Sequence, residues 1–190
     1  MSPDIYNRVL LYAVRQEILA NFPRMSFKRD DKIERPVIDK DKLFEMLRGL
    51  DPYRGLVVGL MGRAGLRIGE VYVLKIEDVN FDQRTIFIRR RQYRGKIENY
   101  TKTKTSYCNL PVYDEVLHLV RRFFTWESGW IFSGINYHSF YGENWRYICK
   151  KYDLPEGFTT QCLRHSFGYI LLKDGINIKA IQRLMRHKNI

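Results

Sequence analysis

The stretch AGLRIGEVYVLKIEDVNFDQRTIFI, residues 64–88, contains a change of periodicity from which the rest of the chain can be interpreted. Arg67 follows a glycine-containing turn and precedes IGEVYVL, an otherwise apolar segment that predicts a short helix. The closing TIFI segment is rich in β-branched and aromatic residues and is typical of a strand. The sequence therefore predicts a transition from helix to sheet, with a charged side chain at its start.

Helical patterns lie on both sides of a small antiparallel sheet that we predict at roughly residues 75–112. Before the sheet, DKDKLFEMLRGL has Asp39 as its N-cap candidate, and YRGLVVGLMG is apolar enough to be buried. Helices resume after it in the segments DEVLHLVRRFF, YGENWRYICKKY, LRHSFGYILLKDG and NIKAIQRLMRH. This order predicts an α+β fold that is mainly α.

The last two of these helices should pack through apolar faces. In the first, Tyr169 lies among apolar residues and is predicted to be buried. In the second, Asn177 is the N-cap candidate, and Ile178, Ile181 and Met185 are predicted to point inward.

Composition limits the partners of the chain. The 190 residues have a formal net charge of +12 and a pI of about 9.7, which favours a nucleic-acid partner over an inert basic surface. Three scattered cysteines form neither a disulfide framework nor a zinc motif, which is typical of a reducing cytoplasm. No signal pattern or membrane-spanning apolar run is present in the sequence, so we expect a soluble protein.

Two arginines are candidate anion ligands. Arg67 needs a negative partner, which is either a phosphate or a structural ion pair with Glu70 or Asp78. Arg164 lies near the start of a predicted helix, where the helix N-terminus also favours phosphate. The alternative for Arg164 is a solvent-facing basic turn.

Two further segments could supply proton or hydrogen-bond donors. TKTKTS, residues 101–106, places Lys102 and Lys104 at the tip of a predicted hairpin, where a lysine can protonate a leaving oxygen or simply contact phosphate. His187 on the last helix has no distinctive context, and packing or surface exposure explains it equally well.

Together these segments resemble the catalytic domain of the tyrosine recombinases, the phage integrase family. Residues 64–88 resemble the family's first-arginine box, and TKTKTSYCNLPV resembles its lysine hairpin. LRHSFGYILLKDGINIKAIQRLMRH, residues 163–187, resembles its second box. LLYAVRQEILANFP resembles the last helix of the DNA-clasping N-terminal domain. The resemblance implies a remnant of that core-binding domain at residues 1–23, a linker at 24–36 and a catalytic domain at 37–190.

The resemblance also implies roles for individual residues. Arg67 and Arg164 would hold the scissile phosphate, and Lys102, or alternatively Lys104, would protonate the departing 5′ oxygen. His187 would donate a hydrogen bond to the phosphate or position the nucleophile. A tyrosine would attack phosphorus and form a 3′-phosphotyrosyl link, with no metal or cofactor.

The chain departs from the family pattern at three places. Gln161 replaces the usual histidine, and it can donate a hydrogen bond but cannot shuttle a proton. Arg186 replaces the usual glycine before His187, which we interpret as a smaller change. Only three residues follow His187, fewer than separate it from the family's tyrosine, and Tyr169 is a poor substitute if buried. We therefore expect a catalytic domain that is incomplete at its C-terminus.

Three hypotheses remain for activity: a recombinase domain without its nucleophile, an active site completed in trans, or a non-catalytic DNA-binding or accessory protein. Type IB topoisomerases share the chemistry, but the boxes resemble integrases more closely, and RNA binding would explain only the charge. We expect duplex DNA as partner, a tetramer on paired sites, a monomer in free solution, and a cytoplasmic, nucleoid-associated location.

Overall fold

The computed structural model describes residues 35–99, 107–124, 129–132 and 140–186, without the side chain of Tyr141. The chain divides into two compact units, Met1–Glu34 and Arg35–Ile190. The helix predicted within residues 1–23 and most of the predicted linker lie outside the described residues.

The described residues contain seven α-helices, a 3₁₀ turn (Ile76–Asp78) and a π-helical turn (Phe140–Asn144). The α-helices are α1 (Lys40–Gly49), α2 (Pro52–Gly62), α3 (Ile68–Val71), α4 (Asp114–Phe123), α5 (Trp145–Lys151), α6 (Thr160–Lys173) and α7 (Ile178–Met185). The strands are β1 (Val79–Asn80), β2 (Thr85–Ile88), β3 (Arg90–Tyr93), β4 (Lys96–Asn99) and β5 (Cys108–Pro111). The prediction of a mainly α fold with a small antiparallel sheet is confirmed.

The predicted sheet consists of two separate antiparallel ladders within the described residues. One has the order β1-β2-β5, in which Ile86 faces Leu110. The other is the hairpin β3-β4, in which Tyr93 pairs with Lys96 across a turn at Arg94 and Gly95. Because β4 and β5 pair with different strands, residues 100–106 connect the two ladders.

Local sequence signals explain where the first helices begin. The Asp39 carboxylate accepts a hydrogen bond from the Lys42 N–H at 2.8 Å, as an N-cap residue does. Asp51 caps α2 in the same way through the Arg54 N–H, and Pro52 follows at the first helical position. Both starts agree with the helices predicted from the sequence.

Helix α2 lies at the centre of the core. Residues 55–62 of this helix are all buried, and it packs against α1, α4 and α6. An apolar helix without a polar face is typical of such an enclosed position. The residues that directly follow α2, 63–66, are still buried, and the chain becomes partly exposed at Arg67.

Two predictions about side-chain burial are wrong. Ile178 is 54% exposed although it shares a helical face with the buried Ile181 and Met185, because it is the first residue of α7 and lies at the open end of that face. Tyr169 is only partly buried, and the Lys173 ammonium lies 5.6 Å from its ring centroid.

In the part of the chain that the structure describes, every helix is too short or too polar to span a lipid bilayer.

Candidate active site

Arg67 lies at the N-cap of α3 and is tied to a buried carboxylate. Its backbone N–H donates to Glu70 Oε2 at 2.8 Å, and its Nη1 donates to Glu70 Oε1 at 3.1 Å. The Glu70 side chain is 1% exposed, whereas the Arg67 side chain is 41% exposed. The ion pair with Glu70 is therefore present, and the exposed part of the guanidinium can still bind an anion. The other proposed partner, Asp78, pairs with Arg89 and Arg90 instead.

Close backbone packing next to Glu70 requires a glycine. A Cβ atom on Gly69 would lie 2.5 Å from the backbone oxygen of Gln92 in β3. The hairpin therefore crosses directly over α3, and a larger residue at position 69 would separate the two. This packing fixes the short helix that orients Arg67 and Glu70.

Arg164 reaches the same region from α6. Its side chain is buried, and Nη1 donates to the backbone carbonyl of Gly65, 99 residues earlier in the chain. The alternative of a solvent-facing basic turn is therefore wrong. Helix α6 begins at Thr160, so Arg164 lies in its second turn and is further from the helix N-terminus than the sequence suggested.

The carbonyl of Gly65 is available because residue 65 has a left-handed backbone. Its φ is +65°, and a Cβ atom there would lie 2.6 Å from Cδ1 of Phe167 in α6. Glycine alone accepts both the conformation and the contact without strain. The turn after α2 thus presents an oxygen to the buried arginines.

Arg186 is a third arginine in this region, and sequence interpretation missed its importance. It follows α7 in a left-handed conformation (φ 52°, ψ 44°), where glycine is the usual residue. Its Nη2 lies 2.7 Å from Glu70 Oε2 and 3.2 Å from the Gly65 carbonyl oxygen. The Arg186 carbonyl in turn accepts a hydrogen bond from Arg67 Nη2 at 3.4 Å. Reading the substitution of the family's usual glycine as a smaller change was therefore wrong.

A signal for Arg186 was present in the sequence. A bulky residue at the position after a helix, where a left-handed residue is expected, costs about 1–2 kcal/mol in backbone energy. Such a residue persists when its side chain makes a compensating interaction. That interaction could not be identified without knowing that Glu70 lies opposite.

Arg67, Glu70, Arg164, Arg186 and the Gly65 carbonyl are called the arginine cluster below. Its three positive and one negative side chains leave two net positive charges around a single buried carboxylate. Because only Arg67 is substantially exposed, the excess charge is accessible to an anion from one side. A bidentate donor on an exposed face with this charge excess suits a phosphodiester group.

Of the other predicted site residues, the structure describes Gln161. Gln161 is exposed in the first turn of α6, one turn before Arg164. Lys102, Lys104 and His187 lie outside the described residues. His187 directly follows Arg186 in the sequence.

Cys108, the first residue of β5, lies beside Arg186. Burial raises the pKa of the Cys108 thiol, and the nearby Arg186 guanidinium opposes that rise. Strand β5, which follows the lysine segment in the sequence, therefore begins next to the arginine cluster. Within the described ranges, no group of three or more His, Cys, Asp or Glu side chains is arranged to hold a metal ion.

The arrangement agrees with a comparison against protein families. The model of the family described as "Phage integrase family" matches residues 37–190, which include the whole arginine cluster. The chain belongs to the phage integrase family. The resemblance inferred from the arginine boxes is thereby confirmed.

Curated relatives within the phage integrase family are named tyrosine recombinases. Tyrosine recombinase XerA of Pyrococcus furiosus is 32% identical over 160 residues, covering 81% of this chain and 50% of that protein. A tyrosine recombinase of Thermosipho africanus is 25% identical over 138 residues, covering 70% of this chain and 45% of that protein. The chain spans about half the length of the curated relatives it matches.

Solved structures of phage integrase family proteins share the fold. The Tn1549 transposon integrase in complex with transposon right end DNA superposes with a TM-score of 0.72 at 24% identity, covering 94% of this chain and 68% of that one. The crystal structure of XerA recombinase gives a TM-score of 0.64 at 19% identity, covering 95% of this chain and 65% of that one. The tyrosine-recombinase catalytic-domain fold predicted from the sequence is thereby confirmed.

Proposed function

We propose that this chain is the catalytic domain of a site-specific DNA recombinase or integrase, and that its arginine cluster holds the scissile phosphate. The observation that supports this most strongly is the convergence of Arg67 and Arg164. The two residues lie in separate sequence boxes, yet Arg164 bonds to Gly65, two positions before Arg67. Three arginines around a single buried carboxylate leave a charge excess that a phosphodiester would neutralise.

The chemistry proposed for the site is an in-line phosphoryl transfer. A tyrosine hydroxyl loses its proton to water as its oxygen forms a bond to phosphorus, while the bond to the 5′ oxygen breaks and the leaving oxygen takes a proton from a lysine. Arg67 and Arg164 stabilise the negative charge that develops on the non-bridging oxygens. The phosphotyrosyl link conserves the bond energy, so a second 5′ hydroxyl can religate the strand without a metal or a nucleotide.

Lys102, or alternatively Lys104, is proposed as the proton donor. The position of Cys108 beside Arg186 supports this assignment, because the lysine segment ends just before it. Gln161 is proposed to donate a hydrogen bond to a phosphate oxygen from the first turn of α6. His187 is proposed to bond the phosphate or to position the nucleophile.

Duplex DNA is the proposed partner, in agreement with the net charge of +12 and with the DNA complexes of the Tn1549 integrase. We propose that protomers assemble as a tetramer on paired sites and are monomers in free solution, acting on the nucleoid in the cytoplasm. Residues 1–23 are proposed to belong to a core-binding domain, 24–36 to a linker and 37–190 to the catalytic domain. The division of the chain after Glu34 supports that boundary.

A trapping assay tests the proposal. The protein is incubated with nicked suicide duplexes of randomised sequence around the nick, and covalent adducts are separated on a denaturing gel. It is tested alone and mixed with a tyrosine-bearing homologue whose own clamp arginine has been replaced.

Each outcome of this assay assigns the nucleophile differently. An adduct with the protein alone places the attacking tyrosine within these 190 residues. An adduct only in the mixture shows a competent clamp that is completed in trans. If no adduct forms in either reaction, the recombinase proposal is overturned in favour of a DNA-binding or accessory protein.

A further inference from the structure

We propose that Arg186 is a positioning residue that joins the two halves of the phosphate clamp and holds Arg67 in its outward, phosphate-binding position. This inference rests on the proposed function, because it concerns how the same site is organised. It assigns a role to a side chain that occupies a position where a helix usually ends in glycine.

The hydrogen bonds of one nitrogen support the bridging role. Arg67 is bonded to Glu70, and Arg164 is bonded to the Gly65 carbonyl. Arg186 Nη2 donates to both of these acceptors, at 2.7 Å to Glu70 Oε2 and 3.2 Å to the Gly65 oxygen. The separation of the two clamp arginines is therefore set through Arg186.

The sharing of Glu70 explains how Arg186 would act on Arg67. Arg186 takes Oε2, so the Arg67 side chain keeps a single bond to Oε1 and remains 41% exposed. Without Arg186, the Arg67 guanidinium would no longer compete with a second guanidinium for Oε2, which also accepts the Arg67 backbone N–H, and the planar, two-bond pairing that arginine makes with carboxylates would be favoured. That pairing would turn the Arg67 guanidinium inward and reduce the positive charge presented to a phosphate.

The local energetics of Arg186 indicate a purpose other than simple stabilisation. Its side chain is 1% exposed, so its positive charge is held out of water. Its backbone is left-handed, where a non-glycine residue is disfavoured. A buried cation on an unfavourable backbone is the pattern expected where function constrains a residue.

The inference is tested by a double-mutant cycle between Arg186→Gly and Arg67→Ala, with Arg186→Lys as the conservative variant. Affinity for a fluorescent duplex is measured as a function of salt. In parallel, inorganic phosphate is titrated while the melting temperature is followed, which needs no DNA. Arg183→Ala is the matched control, since Arg183 is exposed and lies three residues earlier on α7.

We expect Arg186→Gly to weaken duplex binding about tenfold. The slope of the logarithm of the binding constant against the logarithm of salt concentration should become shallower by about 0.9, the value for one phosphate contact. The same change should have no further effect in an Arg67→Ala background, and lysine at position 186 should restore most of the affinity. Phosphate should raise the melting temperature of the wild type and of the lysine variant but not of the glycine variant. Arg183→Ala should change the duplex affinity by the same factor whether residue 67 is arginine or alanine.

Equal losses from Arg186→Gly in the presence and absence of Arg67 would overturn the inference, as would a lysine variant no better than glycine. If the glycine variant alone fails to fold, Arg186→Ala takes its place in the cycle with Arg67→Ala, and the same comparison decides. If both fail to fold, Arg186 only stabilises the domain and the inference is wrong. A wild type that does not bind duplex DNA would instead overturn the proposed function, while the phosphate titration would still decide the role of Arg186.

Discussion

Arg186 Nη2 lies 2.7 Å from Glu70 Oε2, and each of the two side chains is only 1% exposed. The residues are 116 positions apart, so this pair ties the end of α7 to the start of α3. When one partner of such a buried ion pair is removed, the folded domain is strongly destabilised, because the other charge stays buried without compensation.

Replacing Glu70 with glutamine should therefore destabilise the domain severely. The change keeps the shape of the side chain but leaves Arg186 and Arg67 without their shared negative charge, and we expect a loss of about 3–5 kcal/mol. Urea unfolding followed by circular dichroism measures the effect. Glu77→Gln is the control, because its side chain is 57% exposed and should change the free energy of unfolding by less than about 1 kcal/mol. Similar values for the two variants would contradict the account of the cluster.

Gly69→Ala should loosen the packing of the β3-β4 hairpin over α3. The new Cβ would meet the Gln92 backbone oxygen at 2.5 Å, and backbone cannot move aside as a flexible side chain can. Gly168→Ala in α6 is the matched control, since its nearest contact would be an ordinary 3.5 Å to the terminal methyl carbon of Met185. Thermal unfolding should show a lower melting temperature for the first variant. The second should be unchanged or more stable, by up to about 1 kcal/mol, because alanine favours helix over glycine.

Asp51 should give the stability of α2 a dependence on acid pH. Burial opposes ionisation of this carboxyl, but hydrogen bonds from Arg54 outweigh it, and the pKa of Asp51 lies below its ordinary value. A pKa lower in the folded state means that the charge stabilises the fold above the ordinary aspartate range, and that this contribution is lost as pH falls through the folded pKa.

Asp51→Asn isolates this charge, because asparagine is also a good N-cap. The difference in free energy of unfolding between wild type and variant should be present near neutral pH and should shrink below about pH 4. Urea titrations across that range measure it. In an Arg54→Met background the difference should be small at every pH, and a pH-independent difference in the wild-type background would contradict the assignment.

The Cys108 thiol should react slowly with iodoacetamide in the folded protein. Burial raises its pKa, and the thiolate is the reactive form, so the midpoint of the alkylation profile should lie above the ordinary value of about 8.5. Peptide mapping by mass spectrometry distinguishes Cys108 from Cys149 and Cys162. The same cysteine in urea is the control, and equal midpoints in the two states would contradict the partial burial of Cys108 beside Arg186.

Features that depend on local chemistry could be predicted from the sequence alone. Asp39 and Asn177 cap helices as their residue types predict, and the β-branched TIFI segment forms β2. Arg67 and Arg164 were recognisable as candidate anion ligands, because an arginine charge among apolar residues requires a partner.

Features that depend on distant contacts could not be predicted in this way. The bridge made by Arg186 requires α7 to end opposite Glu70, which no local pattern encodes. Burial of Arg164 and exposure of Ile178 likewise follow from how α6 and α7 meet their neighbours, whereas periodicity only defines a face. The same limit applies to Gly69, whose necessity arises from the hairpin that crosses it.

The salt dependence of duplex DNA binding, compared between the wild type and the Arg67→Ala and Arg164→Ala variants, tests the central claim most directly. Binding through phosphates predicts affinity that falls steeply with salt, and Arg67→Ala should reduce the logarithmic slope by about 0.9 while the domain stays folded. Arg164→Ala should also weaken binding, with some loss of stability because the Gly65 carbonyl loses a buried donor. Arg48→Ala, at the exposed end of α1, shows the effect of removing an ordinary surface charge. Binding that barely changes with salt, or an Arg67→Ala variant indistinguishable from the Arg48→Ala control, would contradict the assignment of the arginine cluster as a phosphate clamp.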